Sequence, residues 1–369
     1  MAASDTTSWR CAFLALLVLF VSGAHGQLSP TFYASTCPNL EAIEFLKLLL
    51  GWPIIDKIPA VMNTTVANEK QMGASLLRLH FHDCFVEGCD GSVLLDNVPA
   101  TATTPAFVGE KNAFGNINSL RGFEVIDTIK ANVEQACPGV VSCADILTLA
   151  TRGGTFLLLY IHLNLRHVMS FALFAARRAS LDGAARRGDS TTASMDLVNR
   201  DLPPPFANLV TNPLDCSDLI ARLQRKGLSA TEMTVLSGAH NIGSVQCQNY
   251  RLRLYNENRI DFQFAQELKA NCPQNGPAGD TFLAPLDSTG SVFDNKYYVD
   301  LTRLRGLLHS DQVLYPQNNQ TQAKIVLKYK GDNAAFFPDF AAAMIKMGNL
   351  SPLTGTAGQI RTNCRLVNP

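Results

Sequence analysis

Apolar residues recur at three- and four-residue intervals over much of the chain, whereas the strict alternation expected of a half-buried strand is scarce. The spacing predicts helices over Gly73 to Cys84, Gly122 to Glu134, Ser217 to Lys226 and Asp339 to Met347, and so a mainly α architecture. Local end signals agree. Ser229 stands three residues ahead of Glu232, the spacing of a capping box, and Pro138-Gly139 closes a helix that ends near Cys137. From Thr155 to Phe174 apolar residues are nearly continuous, yet His162, Asn164, Arg166 and His167 interrupt their middle. An arginine at mid-bilayer costs about 2.5–3.5 kcal/mol on the mildest scale, so a buried helix or a disordered insert is expected there rather than a membrane span.

The chain has 369 residues and is 47% hydrophobic, enough to bury a substantial core in one large domain or two ordinary ones. Lys plus Arg equal Asp plus Glu at 31 each, so no net field favours nucleic acid or an anionic membrane, and a small partner is expected. Arg10, the apolar run Cys11 to Val21 and the small residues ending at Gly26 have the layout of a secretory signal peptide over 1–26. The alternative, a membrane anchor, is disfavoured because the run falls short of the roughly 20 residues that span a bilayer. Export makes disulfides the expected use of cysteine; removing Cys11 from the ten leaves nine, so one thiol stays unpaired. Asn63-Thr64-Thr65, Asn319-Gln320-Thr321 and Asn349-Leu350-Ser351 fit the glycosylation acceptor pattern, which suits the compartment without proving it.

Three segments carry candidate chemistry. In Arg78-Leu79-His80-Phe81-His82-Asp83-Cys84, Arg78 and His82 stand four apart and share a helix face, with His80 on roughly the opposite side. A cation beside an imidazole can stabilise a departing oxygen anion and shuttle a proton, although an ordinary surface Arg-His pair reads the same way. The loop that follows offers side-chain oxygens of Asp83, Asp90 and Ser92 and carbonyls of Val86 and Gly88, a calcium-type donor set, with Cys84 and Cys89 placed to clip it; a solvated acidic turn is the alternative. In Leu236-Ser237-Gly238-Ala239-His240-Asn241-Ile242-Gly243 a histidine ends a helix among small neighbours that would admit a flat cofactor, and composition alone does not separate an iron ligand from a core histidine.

Together these segments resemble class III plant peroxidases. The motifs that carry the likeness are Gln27 to Tyr33 with Cys37-Pro38, Arg78 to Ser92, Glu110-Lys111 through Asn116, Val141 to Asp145, Leu236 to Gly243, Phe293 to Tyr298, and Gly355 to Cys364, spanning most of 27–369. The resemblance implies a mainly α, two-lobed fold with haem b between a distal lobe containing His82 and a proximal lobe containing His240. It implies disulfides Cys37–Cys137, Cys84–Cys89, Cys143–Cys364 and Cys247–Cys272, one of the 105 pairings eight cysteines allow, with Cys216 left over. By the same resemblance His240 ligates the iron and Asp311 accepts a hydrogen bond from its other nitrogen. His82 is the proton shuttle, Arg78 the charge stabiliser, and Asn116 the group that keeps His82 in its basic tautomer. Hydrogen peroxide and small phenolic reductants are the implied substrates, and Pro203 matches the substrate access position, where a stiff surface turn competes as a reading. The resemblance also implies two calcium ions, the second held by Asn241, Asp287, Thr289 and Asp294; Asn241 stands where threonine is usual and the loop is one residue short, so weaker binding is expected. A monomer exported to the cell wall, with the vacuole as the other destination, completes the picture.

The sequence departs from that pattern in three places: about fourteen extra residues near 45–60 including Gly51-Trp52-Pro53, which should interrupt the first helix; a short insertion at 210–217 that brings in Cys216; and 153–188, where the family's turn and short strand are missing. Because the likeness resumes abruptly on both sides of 153–188, a local reading-frame or splice change in the deduced sequence is expected, and a peptide map with Thr155 to Ala185 intact would exclude it. Two functions remain open at this point: an active peroxidase, or a secreted peroxidase-fold protein whose insertions have cost it the haem pocket. A zinc hydrolase using His80 and His82 fails, since residues two apart on a helix do not share a face.

Overall fold

A computed structural model describes residues 32–33, 35–38, 40, 57–86, 88–101, 106–113, 115–160 and 215–369. Residues 1–26, where a signal peptide is expected, Pro53, Pro203 and most of the departures from the family pattern lie outside these residues. In chain order the helices are α1 (Lys57–Asn68), α2 (Gln71–Val86), α3 (Phe123–Ala136), α4 (Cys143–Tyr160), α5 (Cys216–Arg225), α6 (Ala230–Ser237), α7 (Cys247–Asn256), α8 (Phe262–Lys269), α9 (Lys296–Thr302), α10 (His309–Gln312), α11 (Gln320–Gly331) and α12 (Asn333–Gly348). Among the described residues the sheet is confined to β1 (Ser244–Gln246) antiparallel to β2 (Leu283–Pro285), with Val245 opposite Ala284. The mainly helical expectation holds, and no described helix is long and apolar enough to cross a membrane.

The four helices expected from periodicity are present with shifted ends. The largest shift is in α12, which begins at Asn333 and runs through Pro338, six residues ahead of the expected start. Asp332 caps it by accepting from the Ala335 N–H at 3.0 Å, and the fully buried Phe336, Phe337 and Phe340 offset the hydrogen bond that proline forfeits. The capping box of α6 is as expected: Ser229 Oγ accepts from Glu232 N at 3.2 Å and Glu232 Oε2 from Ser229 N at 2.7 Å.

The α2–α4 crossing positions the site. These helices meet through glycines: a Cβ on Gly73 would lie 2.7 Å from Leu158 Cδ1 and 3.1 Å from the Gly154 carbonyl oxygen, so only hydrogen fits between the backbones. Gly153 and Gly154, where the departure from the family pattern begins, therefore sit inside a regular helix. Phe156, Leu158 and Leu159 are buried, so the start of the Thr155–Phe174 stretch is the expected buried helix; its remainder lies outside the described residues. One large apolar cluster joins α1 to α6 with α9, α11 and α12, and a smaller one lies under α7, α8 and β2.

All four expected disulfides are formed, Cys37–Cys137, Cys84–Cys89, Cys143–Cys364 and Cys247–Cys272. Cys216, the first residue of α5, is a buried free thiol, and burial with the neighbouring Asp215 charge pushes its pKa up to about 11, away from reactivity.

Candidate active site

Helix α2 delivers Arg78 and His82 one turn apart on one face, as the spacing predicts. His82 is buried, and its Nδ1 lies 2.6 Å from Asn116 Oδ1. Asn116 in turn donates through Nδ2 to the Glu110 carbonyl at 2.9 Å, which orients the amide so that its oxygen faces the imidazole. An oxygen there can only accept, so Nδ1 carries the proton and Nε2 is left as the base. Burial first, and then the Arg78 charge, hold the His82 pKa well below 6.5, against the opposing Asn116 hydrogen bond, so the ring is neutral near pH 7.

Arg78 is braced by backbone from a loop 37 and 41 residues away: Nη2 donates to Gly115 O at 3.0 Å and Nη1 to Ser119 O at 2.9 Å. Burial lowers its pKa to about 10, so it stays cationic.

His240 sits in the 3₁₀ turn Gly238–Asn241 that follows α6. The turn can press against α9 and α12 only because residue 238 has no side chain; a Cβ there would lie 2.4 Å from Tyr298 Oη and 2.8 Å from Phe336. Its Nδ1 lies 2.8 Å from Asp311 Oδ1, which also accepts from Tyr297 Oη at 3.0 Å. Burial would lower the His240 pKa, but the charge and hydrogen bond of Asp311 outweigh it and the pKa stands above the ordinary value. With Nδ1 committed, Nε2 is the atom available to a metal, and the side chain is 38% accessible although Gly238 and Asn241 beside it are buried. The Arg78 charge works to lower the pKa of both imidazoles, so the guanidinium stands near enough to each ring to act on it. Two imidazoles with opposite protonation preferences and a fixed cation suit a haem whose iron takes one nitrogen and leaves the other as base.

Beside the catalytic face, the loop after α2 gathers buried Asp83, Asp90 and Glu110. Asp83 Oδ2 accepts from Gly91 N at 3.1 Å, while Asp83 Oδ1 is buried without a hydrogen-bond partner. Ser92 Oγ reaches Glu110 Oε1 at 3.0 Å, and Ser92 N donates to Asp90 Oδ1 at 3.0 Å. Burial and the Asp90 charge raise the Asp83 pKa well above the carboxylate range, the signature of negative groups gathered for a cation. Gly88 has φ 120° and lies against the Ser351 carbonyl oxygen, which a Cβ would approach to 2.4 Å. The Val86 carbonyl accepts from Lys226 Nζ at 3.0 Å, a contact the sequence did not suggest, with one lone pair remaining.

The second oxygen cluster is likewise assembled. Asp287 Oδ1 accepts from Thr289 N at 2.8 Å and Gly290 N at 2.7 Å, and Thr289 Oγ1 lies 3.2 Å from Asp294 Oδ1. Asn241 Nδ2 donates to the Asp294 carbonyl at 2.9 Å, leaving Asn241 Oδ1 buried without a partner. Burial and the charges of Asp294 and Asp300 push the Asp287 pKa to about 7.

His80 lies 3.6 Å by Nδ1 from Cys84 Sγ, away from the catalytic face as expected. Although His80, Cys84 and Cys89 lie at metal-ligating separations, both sulfurs are spent in a disulfide. Three contributors escaped sequence reasoning as site residues: Glu110, the Gly115–Ser119 loop and Tyr297. Tyr297, in the Phe293 to Tyr298 motif, and Glu110 and Gly115, in the motif ending at Asn116, lay in segments the sequence had marked; Ser119 did not.

A mainly helical fold with one imidazole set against a carboxylate and a second against an amide defines a class, the histidine-based helical peroxidases. A family model described as peroxidase matches residues 58–332. Peroxidase 70 of Zea mays is 46% identical over 369 residues, covering 100% of both chains. Peroxidase 4 of Vitis vinifera is 42% identical over 367 residues, and Peroxidase 22.3 of Oryza sativa subsp. japonica is 45% identical over the same length, each covering 99% of this chain. The chain belongs to the peroxidase family and is a class III plant-type haem peroxidase.

Proposed function

We propose that His82, Arg78 and Asn116 activate hydrogen peroxide opposite a haem b held through His240, and that small phenols are the reductants. The observation that carries this reading is the pair of oriented imidazoles, His82 Nδ1 2.6 Å from the Asn116 amide oxygen and His240 Nδ1 2.8 Å from Asp311 Oδ1, with the Arg78 charge acting on both rings. His82 Nε2 would take a proton from one peroxide oxygen and return it to the other, which would leave as water. Arg78 stabilises the negative charge that develops on the departing oxygen, in a buried setting where a fixed cation is most effective. Asp311, accepting from His240 Nδ1, makes the ligand nitrogen more electron-rich. Haem held through His240 would supply the two-electron redox chemistry that reduces peroxide and accepts electrons singly from the reductants.

Asp83, Val86, Gly88, Asp90 and Ser92 form the distal calcium site in this reading; the buried, partnerless Asp83 Oδ1 supports it. Asn241, Asp287, Thr289 and Asp294 form the proximal one, supported by the equally orphaned Asn241 Oδ1. The chain is exported after removal of 1–26, works as a monomer in the cell wall, and takes its phenols near Pro203.

The test is reconstitution of the folded chain with haemin. A Soret band with peroxide-dependent phenol oxidation is expected, lost on His240→Ala as pigment and on His82→Ala as turnover. A folded, calcium-bound, colourless protein would overturn the reading in favour of a non-catalytic one.

A further inference from the structure

Between the proximal imidazole and solvent runs a continuous series of phenol rings. His240 and Tyr297 meet edge to face with centroids 6.2 Å apart, Tyr297 and Tyr298 follow at 5.2 Å, and Tyr298 and Tyr329 at 5.3 Å. All three tyrosines are buried. The first two share α9, and the third comes from α11, so the series exists only once those helices dock.

The three hydroxyls have different partners. Tyr297 donates to the same Asp311 oxygen that holds His240, which ties the first ring to the ligand imidazole. Tyr298 donates to the main-chain carbonyl of Thr234 at 3.1 Å, a group that does not take up a proton. Tyr329 donates to Asp339 Oδ2 at 2.9 Å, and that carboxylate is 42% exposed in an ion pair with Lys328, itself 51% exposed. Lys328 Nζ also lies over the Tyr329 ring, 4.7 Å from its centroid. Tyr329 is thus one side chain beneath the surface and carries an acceptor for its proton.

A phenol gives up an electron readily only when its proton can leave at the same time. Burial and the hydrogen bond to Asp339 raise the Tyr329 pKa, so the ring stays protonated until it is oxidised. Carboxylates meet that condition at both ends of the series, Asp311 for Tyr297 and Asp339 for Tyr329, but Asp311 is buried and only Asp339 opens to solvent; Tyr298, bonded to a main-chain carbonyl, is fitted to conduct rather than to store.

We propose that Tyr297, Tyr298 and Tyr329 carry an oxidising equivalent from the peroxidase centre to the Asp339–Lys328 surface, where it oxidises phenolic polymers too large for the cavity. The proposal rests on the peroxidase reading above. Peroxide takes two electrons from the centre and leaves it two electrons short; the two protons that complete its conversion to two waters are those the oxidised phenols give up. One electron passes inward from Tyr329 through Tyr298 and Tyr297, and the Tyr329 hydroxyl proton moves to Asp339, leaving a neutral tyrosyl radical. A phenol group of the polymer then gives one electron to Tyr329, Asp339 returns the proton, and the oxidised phenol releases its own proton to water. The second equivalent is discharged in the same way.

The test uses the haem-reconstituted full chain with Tyr329→Phe and, because Asp339 is exposed and its replacement spares the fold, Asp339→Asn. Samples frozen rapidly after peroxide addition without reductant are read by electron paramagnetic resonance. Peroxide-driven oxidation of a synthetic lignin polymer and of guaiacol is measured in parallel. Expected are a tyrosyl signal in the unaltered protein, its loss in both variants, polymer oxidation reduced to background, and guaiacol oxidation unchanged. An undiminished signal and undiminished polymer oxidation in both variants, with guaiacol turnover normal, would overturn the tyrosine route alone. Absence of guaiacol oxidation in the unaltered protein would instead overturn the peroxidase reading on which it rests.

Discussion

Asn116 Oδ1 lies 2.6 Å from His82 Nδ1, and the other end of the same amide is tied to the Glu110 carbonyl. The amide therefore cannot flip without losing two contacts, and His82 is fixed as an Nε2 base. Asn116→Val is expected to slow the reaction with peroxide by about 10–100-fold, the usual cost of removing an orienting partner, with the Soret band retained. Stopped-flow measurement of the absorbance change on peroxide addition checks this; an unchanged rate would show that Asn116 does not orient His82.

Activity should persist to acid pH. Burial and then Arg78 depress the His82 pKa below 6.5, and protonation removes the base, so the rate falls only as pH drops through that depressed value. The acid limb of the peroxide-reaction profile is expected below pH 6.5, and Arg78→Leu, which removes the depressing charge, should move it upward while lowering the plateau. A limb at or above 6.5 in the unaltered protein would contradict the geometry.

Calcium binding at the Asp287 cluster should weaken as pH falls. Without metal the Asp287 pKa is about 7, so below that value calcium must displace a proton and above it need not. Titration calorimetry on either side of pH 7 should give tighter binding on the alkaline side, and Asn241→Ala should weaken it at both. Equal affinities would remove Asp287 from the ligand set.

Chelation should also lower thermal stability, because it removes a cation from beside three buried, mutually repelling carboxylates, Asp83, Asp90 and Glu110. The melting temperature is expected to fall on treatment with a chelator and to fall less in Asp83→Asn, where one of the repelling charges is already gone. A melting temperature indifferent to chelation would count against both calcium sites.

The disulfides should contribute unequally. Cys143–Cys364 closes a separation of 221 residues and Cys84–Cys89 one of 5, which the chain-entropy relation converts to about 5 and about 2 kcal/mol. Paired Cys→Ser replacements followed by denaturant unfolding should rank them in that order.

Much of this was legible beforehand, for reasons that differ by residue. Arg78 and His82 share a face because helix periodicity is local, and Ser229 with Glu232 form a capping box because both partners lie within one turn. The disulfide partners were supplied by the family resemblance and not by spacing. Glu110, Gly115 and Ser119 were not marked as site residues because they reach α2 from a separate loop, and nothing in their own neighbourhood encodes that approach. The start of α12 was misjudged because Pro338 is a strong local breaker, outweighed here by three phenylalanines buried through tertiary contact.

By itself the sequence determined the mainly α class, the helix that carries Arg78 and His82, the helix that ends just before His240, the number of cysteines in excess of pairing, and the oxygen-rich composition of two loops. Those properties depend on neighbours within a turn or two of the chain. The tertiary structure decided which nitrogen of each histidine is free, that Asp311 serves His240 and Tyr297 at once, that Asp83 Oδ1 and Asn241 Oδ1 are buried without a hydrogen-bond partner, and that three tyrosines from two helices meet in a row. Each of these is a relation between segments far apart in sequence, set by how buried faces dock, and a donor's orientation is fixed only when its distant acceptor arrives.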